Sequence, residues 1–284
     1  MRLRLGQILA GCLAVSALAC CGCNEDTGLS RSTPNTAPLV NSVGMTMVYL
    51  ESGEFTMGSE DEAVSAELLE AEKPRPVRID QAFRISESEV TRKQFADFLS
   101  DAKYEPQGPH AERLLNSLNG GSADSVASAQ ELPVVFVNWH DANAFCEWLS
   151  KKEGRQYRLP SVELWEYACR AGAGARFCYG DDATKLGRYA WFKDNADGRA
   201  HRAKRKLPNA WDLYDMHGNV FEWCETPVPS EMAEAADYGK QNCAFIKGGC
   251  YRNVAMSCRC PGGWAFLPKM TRDETVGFRI VCDP

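Results

Sequence analysis

Amphipathic helices are the elements that the hydrophobic pattern predicts most clearly. Thr91 can cap a helix over 92–102, and Ser161 another over 162–171, because their hydroxyl groups accept hydrogen bonds from the free N–H groups of a first helical turn. Residues 140–152 repeat apolar side chains at the same helical spacing. The apolar face of the helix at 92–102 carries Phe95, Phe98, Leu99 and Ala102. The apolar face of the helix at 140–152 carries Phe145, Trp148 and Leu149.

Short β-prone runs precede and separate these helices. Residues 45–50 and 54–57 are broken by a Ser-Gly pair, which predicts a hairpin. Residues 76–86 alternate apolar and polar side chains and predict one strand, while the apolar run 133–137 predicts a buried strand. The chain is therefore expected to mix helices and strands.

Polar segments divide the rest of the chain. Residues 24–42 are rich in Pro, Ser, Thr and Asn and predict a flexible tether, because they offer too little apolar surface to fold. Residues 43–284 are then expected to form one domain, with 105–131 as a surface insertion. From residue 173 onward helical periodicity is lost, and so much irregular chain normally needs disulfides or metal ions to hold it.

The first 23 residues have the features of an export signal. Two arginines precede a short apolar run over 8–19, which ends in Ala19 directly before Cys20. We expect a lipoprotein, anchored to a membrane only through a lipid on Cys20 and facing the periplasm or the cell exterior. An ordinary secretory signal, or processing at another cysteine, stays open; the other candidates are Cys12, Cys21 and Cys23.

Charge and cysteine content narrow the classes of partner and site. The formal net charge of −6 gives no electrostatic reason to expect nucleic acid. Nine of the 13 cysteines follow residue 23, and an exported chain is expected to pair some of them. No two of them have zinc-ribbon spacing, so a structural zinc site is not expected. An odd number leaves at least one thiol unpaired within the domain.

A series of motifs in one order carries a family resemblance. Together they resemble the signature blocks of the formylglycine-generating enzyme (sulfatase-modifying factor) family over about residues 45–282. The resemblance implies a compact, irregular α+β domain related to C-type lectins, with little regular secondary structure and with disulfides and calcium as staples. The motifs are GEFTMG at 53–58, EVT at 89–91, DANAFC at 141–146, YRLPS at 157–161, WEYACR at 165–170, LYDMHGNVFEW at 213–223, KGG at 247–249 and GFR at 277–279.

The family's chemistry is the oxidation of a sulfatase cysteine to formylglycine by dioxygen and a Cu(I) ion between two cysteines. Soft thiolates suit Cu(I). Here the usual C-x-x-x-x-C pair is absent, Asn253 stands at its first position, and Cys250 stands where the family has serine. Cys250 and Cys258 are the candidate copper ligands. The alternatives are a disulfide from one of them to Cys243 or Cys178, or a free buried thiol.

The resemblance also implies a calcium site and two disulfides. Asp215 and Glu222, with the carbonyl groups of Gly218 and Val220, match a family calcium site of hard oxygen ligands. An acidic turn without an ion is the alternative. The implied disulfides join Cys146 to Cys282 and Cys169 to Cys260.

Two functions from different classes follow. The first is an oxidase that acts on an exported sulfatase or another peptide. The second is a catalytically inactive, lectin-like module that recognises a peptide or a glycan. An iron oxidase with three histidine ligands ranks last because its H-x-x-x-H-x-E pattern is absent, and His140, His201 and His217 are expected to be structural or solvated. The protein is expected to be a monomer.

Overall fold

Helices and strands alternate along the first half of the domain, and strands prevail in the second. The computed structural model describes residues 36–60, 73–119, 129–236, 238, 242–262 and 265–284. The helices are α1 (Arg92–Ala102), α2 (Ala111–Asn119), α3 (Trp139–Glu153), α4 (Val162–Arg170) and α5 (Ser230–Ala235), with 3-10 turns at Ala183–Arg188 and Ala255–Cys258. None of the described helices is both long enough and apolar enough to cross a bilayer.

Three sheets organise the described strands. The largest has the order β1-β2-β5-β11-β6, the second β10-β7-β8-β9, and the third pairs β3 with β4. The strands are β1 (Leu39–Val40), β2 (Thr46–Leu50), β3 (Gly53–Met57), β4 (Arg75–Ile79), β5 (Phe83–Ser86), β6 (Tyr157–Arg158), β7 (Phe221–Pro227), β8 (Cys243–Lys247), β9 (Ala265–Pro268), β10 (Val276–Gly277) and β11 (Val281–Cys282). The expected mixture of α and β structure is confirmed.

The three predicted helices are present within one or two residues of their expected ends. Thr91 forms a capping box with Gln94, in which the side chain of each residue bonds the backbone N–H of the other. Asn138 makes the same arrangement with Asp141 at the start of α3. Ser161 accepts a hydrogen bond from the backbone of Leu164 at the start of α4. Local side-chain chemistry therefore sets these helix starts.

Removing the α1 cap should destabilise the protein measurably. Thr91→Ala removes the acceptor for the Gln94 N–H group, so we expect the free energy of unfolding to fall by about 1 kcal/mol. Urea unfolding followed by circular dichroism measures this change. Lys93→Ala on the same helix breaks only an exposed ion pair with Asp97 and should cost less than about 0.5 kcal/mol. Equal losses in the two variants would contradict the capping role.

The strand predictions fail in three places. The runs 45–50 and 54–57 do not form a hairpin, because β2 pairs with β1 and β5 while β3 pairs with β4. The run 76–86 is two strands, since a bend at 80–82 sends β4 and β5 into different sheets. The run 133–137 is buried but is not a strand: Phe136 has a φ of 58°, a left-handed conformation that interrupts extended backbone.

Two segment boundaries also differ from expectation. The tether expected to reach residue 42 is shorter, because β1 pairs with β2 and Asn41 Oδ1 accepts hydrogen bonds from the N–H groups of Val43 and Met45. The segment 105–131 is more than a surface insertion: its helix α2 places Leu114, fully buried, in the core. The signal-peptide prediction and residue Cys20 lie outside the described residues.

Three hydrophobic clusters are present among the described residues: two large cores and a smaller cluster that contains Cys258. The first packs α1 and α3 against the C-terminal strands through stacked and edge-on rings, among them Phe95, Phe145 and Phe278. The second surrounds α4, where Trp165 is fully buried. The four-stranded sheet contributes to both, since Trp223 belongs to the first core and Phe245 to the second. The loops that leave this sheet therefore start from rigid positions.

Candidate functional site

The cysteine-rich loop begins where β8 ends. Gly248 and Gly249 have φ values of 96° and 75°, conformations that favour glycine. A Cβ atom on Gly249 would lie 2.8 Å from the Cys258 sulfur. Both glycines are therefore required: they turn the chain sharply, and the second leaves room for the Cys258 thiol beneath the loop.

Cys250 and Cys258, the candidate copper ligands, are both buried as thiols. The backbone N–H of Cys250 donates to Asn253 Oδ1 at 2.8 Å, and its sulfur accepts from the Arg252 N–H at 3.4 Å. Burial raises the pKa of the Cys250 thiol. Burial also raises the pKa of Cys258, and the nearby Cys250 raises it further. The loop thus buries both thiols, and burial favours their neutral, protonated form.

An open groove adjoins Cys250 across the four-stranded sheet. Its volume is about 390 Å³, within the range that small ligand sites occupy. Thr275 lines the groove, and its side chain lowers the pKa of the Cys250 thiol, while its hydroxyl group donates a hydrogen bond to Asp273 Oδ1 at 2.6 Å. The apolar side chains of the groove come from all four strands, and they include Phe221, Ile246, Phe266, Leu267 and Val276. A bound segment would therefore contact Thr275, a neighbour of Cys250 in the fold.

Cys169 and Cys260 meet in the buried space behind the loop. Their sulfur atoms are 3.0 Å apart, although the structure records both residues as thiols. The two residues are distant in sequence, one at the end of α4 and the other after the 3-10 turn. The predicted disulfide between them stays a prediction, and the fold places its two sulfurs in reach of each other.

His217 packs against this sulfur pair and is structural, as expected. Its Nδ1 lies 2.8 Å from the Cys258 carbonyl oxygen and its Nε2 accepts the Cys178 backbone N–H at 3.2 Å, which together define the neutral Nδ1–H tautomer. The ligand atoms of Cys169, His217 and Cys260 lie within 4.8 Å of one another. Because both ring nitrogens are committed to backbone groups, this arrangement favours a disulfide over a metal ion.

The predicted calcium ligands lie in a strained turn. Asp215 and Asn219 have φ values of 58° and 60°, which are uncommon for residues with side chains. Gly218 has a φ of 148°, and a Cβ there would lie 2.3 Å from the Trp191 carbonyl oxygen. The surrounding contacts thus impose this backbone, and such imposed strain is common where a turn carries a function.

One predicted calcium ligand fits a cation better than the other. Asp215 is buried, its Oδ2 accepts the Lys204 N–H at 2.8 Å, and its Oδ1 has no hydrogen-bond partner among the described residues. Burial raises the pKa of Asp215 to about 6. Glu222, in contrast, binds Arg279 through both oxygens at 2.6 and 2.8 Å. The orphaned oxygen of Asp215 is what a hard cation would satisfy.

Glu89 was not among the predicted site residues, yet it holds this turn. Its Oε2 accepts from Asn219 Nδ2 at 2.8 Å, and its Oε1 from the Val220 N–H at 3.2 Å. Burial raises the pKa of Glu89 well above its usual range, and the neighbouring Asp215 raises it further. The sequence signal was its place in the EVT motif, but nothing in the sequence alone connects that motif to a turn 130 residues later.

Comparison with known proteins identifies the family whose motifs the sequence carries. A family model for the sulfatase-modifying factor enzyme 1-like domain matches residues 34–284. The chain belongs to this family. The motif order set out above, from residue 53 to residue 279, is therefore that of a sulfatase-modifying-factor domain.

Relatives of this sulfatase-modifying-factor domain differ in the activity that their names give. The chain is 30% identical to a formylglycine-generating enzyme of Streptomyces coelicolor, over 72% of this chain and 78% of the relative. It is 29% identical to an inactive C-alpha-formylglycine-generating enzyme 2 of Mus musculus, over 62% and 67%. It is also 27% identical to the serine/threonine-protein kinase pkn1 of Chlamydia pneumoniae, over 88% of this chain, but it spans only 39% of that kinase.

A solved structure shows the same fold. PvdO from Pseudomonas aeruginosa superposes with a TM-score of 0.70 at 23% identity, covering 89% of this chain and all of that one. At this level of identity the likeness concerns the fold alone.

A buried charge network connects the cysteine loop of this domain to α4. Lys247 is fully buried, and its Nζ donates to the Gly262 carbonyl oxygen at 3.0 Å and lies 3.4 Å from Glu166 Oε2. Glu166 in turn accepts two hydrogen bonds from Arg170 and one from the Gly58 N–H. In the sequence, Glu166 and Arg170 are recognisable only as members of the WEYACR motif, and Lys247 only as a member of the KGG motif. The contacts of Lys247 with Gly262 and with Glu166 hold the two ends of the loop beside α4.

The remaining predicted residues are two cysteines and two histidines. Cys146 and Cys282 are both buried in the first core, but the structure records no bond between them. His201 stacks on Trp191 with ring centroids 3.8 Å apart. His140 lies on the first turn of α3, exposed and edge-on to Trp139. The structure thus gathers the cysteine loop, the groove and the acidic turn around the four-stranded sheet. The backbone of His201 joins the acidic turn through two hydrogen bonds with the Asn219 side chain, whereas Cys146 and Cys282 lie in the first core and His140 on the surface.

Proposed function

We propose that the protein is an exported recognition domain of the formylglycine-generating enzyme type, which binds an extended peptide in the groove beside Cys250. The observation that carries this proposal is the apolar groove itself, to which all four strands of the sheet contribute side chains and which Thr275, a neighbour of Cys250 in the fold, also lines. Aromatic and aliphatic side chains across a sheet offer pockets for alternate side chains of an extended chain. The partner would be an exported sulfatase or another protein with an accessible segment.

Recognition without oxidation agrees best with the state of the two thiols. Copper binding needs thiolates, and among the described residues neither Cys250 nor Cys258 contacts a cationic side chain that would stabilise one. Asn253 occupies the place of the first copper cysteine of the family. The similarity to a relative named as inactive is consistent with this proposal.

Oxidation of a sulfatase cysteine to formylglycine is the second candidate, and one observation favours it. Cys250 and Cys258 are both buried in the same loop, where Cys250 raises the pKa of Cys258, and a pair of thiols suits Cu(I). When bound, that ion would supply the activation of dioxygen. The chain's own residues would hold the substrate peptide in the groove, with its cysteine beside Cys250.

The proposal also covers calcium binding, the oligomeric state and the localisation of the protein. We infer that Ca²⁺ binds at the 215–222 turn and stabilises the strained backbone there. Support comes from Asp215 Oδ1, which no described residue hydrogen-bonds. We also propose that the protein is a monomer, tethered to a membrane by a lipid on Cys20.

A paired binding and turnover assay tests the function. A fluorescent peptide with the Cys-x-Pro-x-Arg sulfatase pattern should bind the full-length chain, and Phe266→Ala should weaken binding on the order of tenfold because it removes an apolar wall of the groove. Leu115→Ala is the matched control, because Leu115 is 42% exposed and does not line the groove. Anisotropy measures the affinity of each variant.

The same samples decide between the two functions. With Cu(I) and dioxygen added, mass spectrometry should detect no aldehyde in the peptide. Aldehyde that is lost in Cys258→Ser would establish the oxidase instead. If the peptide does not bind, or if Phe266→Ala binds as tightly as the parent chain, the groove is not the recognition site.

A further inference from the structure

A second cleft is separate from the peptide groove. Its volume is about 1070 Å³, and none of the residues that line it also lines the groove. Its walls come from β3, from the end of α4 with the glycine-rich segment 172–175, and from the loop that carries Trp211. Because ligand sites are usually preformed concave regions of this kind, the cleft is a candidate for a second binding site.

Three aromatic side chains form one wall of the cleft, and Phe55, Tyr167 and Trp211 are called the aromatic wall from here on. The ring of Tyr167 contacts both of the others, with centroid distances of 5.4 Å to Phe55 and 4.9 Å to Trp211. Tyr167 is 9% exposed, whereas the other two side chains are partly exposed. Their open ring faces can therefore be covered by a bound group, and aromatic side chains in such positions often dominate binding energy.

Backbone contacts hold the aromatic wall in place. A Cβ atom on Gly53 would lie 2.6 Å from the Tyr167 hydroxyl oxygen, so the absence of a side chain there makes room for that ring. Asn209 Oδ1 accepts the Trp211 N–H at 3.0 Å, and Asn209 Nδ2 donates to the Ala168 carbonyl oxygen at 2.8 Å. These bonds tie the Trp211 backbone to α4. A ligand therefore meets rings that are already ordered, and binding costs little side-chain entropy.

Arg170 connects two sides of the cleft. Its guanidinium group donates to the Gly58 carbonyl oxygen at 2.7 Å, beyond the end of β3, and to the Ala175 carbonyl oxygen at 3.1 Å. It also pairs with Glu166 at 2.8 Å, and the two side chains are 5% and 0% exposed. The charge of Arg170 is thus matched by a buried carboxylate, and the cleft keeps its shape without a ligand.

The other charged residues give the cleft an excess of negative charge. The carboxylates of Glu54, Glu60 and Asp181 line it. Besides Arg170, the described lining residues include one cation, Arg176. The face of an aromatic ring also attracts positive charge, through its quadrupole. The rings and the carboxylates therefore favour the same kind of ligand group, which is a cation.

We propose that this cleft binds a segment of a partner protein that carries lysine or arginine, with the cationic side chain over the aromatic wall and near the carboxylates. The site is separate from the peptide groove, so the proposal does not rest on the function proposed above. The volume of the cleft exceeds that of most small-molecule sites, which favours a segment of chain over a small cation. The Trp211 indole N–H has no acceptor among the described residues and can donate to a backbone carbonyl oxygen of that segment.

Fluorescence anisotropy of the full-length chain with labelled peptides tests the charge of the partner. In these short peptides glycine alternates with lysine, with serine or with glutamate. The lysine peptide should bind on the order of tenfold more tightly than the other two, and added salt should weaken it because ions screen the attraction. Equal binding of all three peptides would overturn the proposal. So would binding of a labelled neutral oligosaccharide, maltotetraose, in place of the lysine peptide.

Variants of the aromatic wall test the place of binding. Trp211→Ala should weaken binding of the lysine peptide on the order of tenfold, because it removes the ring face, and Trp211→Phe should restore most of the affinity. Tyr49→Ala is the matched control, since it removes a partly exposed ring that does not line the cleft. Phe266→Ala alters only the peptide groove and should bind the lysine peptide like the parent.

A charge variant that leaves every ring in place provides a second test. Glu54→Gln with Glu60→Gln changes two exposed side chains and breaks only a pair of 3.7 Å between Glu54 and Arg78, so the fold should be unaffected. We expect about threefold weaker binding of the lysine peptide and a shallower salt dependence. Circular dichroism confirms that each variant is folded. Parent-like affinity in both this variant and Trp211→Ala would overturn the cleft as the site, and loss in Phe266→Ala would assign the lysine peptide to the groove instead.

Discussion

Replacing Arg279 with methionine should lower the free energy of unfolding by about 3–5 kcal/mol. Arg279 is fully buried and makes four hydrogen bonds: two to Glu222, one to the Ser86 carbonyl oxygen and one to the Tyr214 carbonyl oxygen. Without it, the Glu222 carboxylate stays buried with no positive partner and beside two further carboxylates. The cost arises from that stranded charge more than from the lost contacts.

Urea unfolding in EDTA measures this effect free of any contribution from calcium. Adding Glu222→Gln to Arg279→Met should recover part of the loss, since a neutral amide can still accept from Trp165 and no longer requires a cation. Lys152→Met is the control, because it breaks a half-exposed ion pair with Asp101 and should cost less than about 1 kcal/mol. If Arg279→Met and the double variant lose equal stability, the stranded charge is not the cause.

Preventing a bond between Cys169 and Cys260 should cost about 4 kcal/mol. The two cysteines are 91 residues apart, and a link between them would restrict the unfolded chain over that whole length. Peptide mapping without reductant should recover the two segments joined. Cys260→Ser should lower the free energy of unfolding by this amount, and the parent chain should lose the same amount when it is reduced.

Cys178→Ser provides the matched control for the cysteine pair. Cys178 is partly exposed and contacts His217 only through its backbone N–H among the described hydrogen bonds, so its loss should leave both the mapping and the effect of reductant unchanged. Reductant should have little further effect on Cys260→Ser. Unlinked segments, or thiols that react freely at Cys169 and Cys260 in the unfolded parent, would show that the disulfide does not form.

The order of motifs and the helix starts could be predicted because both depend on residues close together in the sequence. Thr91, Asn138 and Ser161 cap their helices through neighbours three residues away. The family match rests on the same kind of local pattern. Strand pairing could not be predicted in this way, since β11 lies between β5 and β6 although it is last in the chain. The expected hairpin after β2 was wrong for this reason.

The candidate site shows the same division. The sequence determined which residue types were available: two thiols after the glycine pair, an acidic turn and a large set of apolar side chains. Only the tertiary structure decided which of them meet. It paired Glu222 with Arg279 and brought Glu89 to a turn 130 residues away. It also left one oxygen of Asp215 without a hydrogen-bond partner in the part of the chain that the structure describes. The physical reason is that burial leaves each charged group to find a partner among whatever the fold places beside it, and sequence spacing does not encode those neighbours.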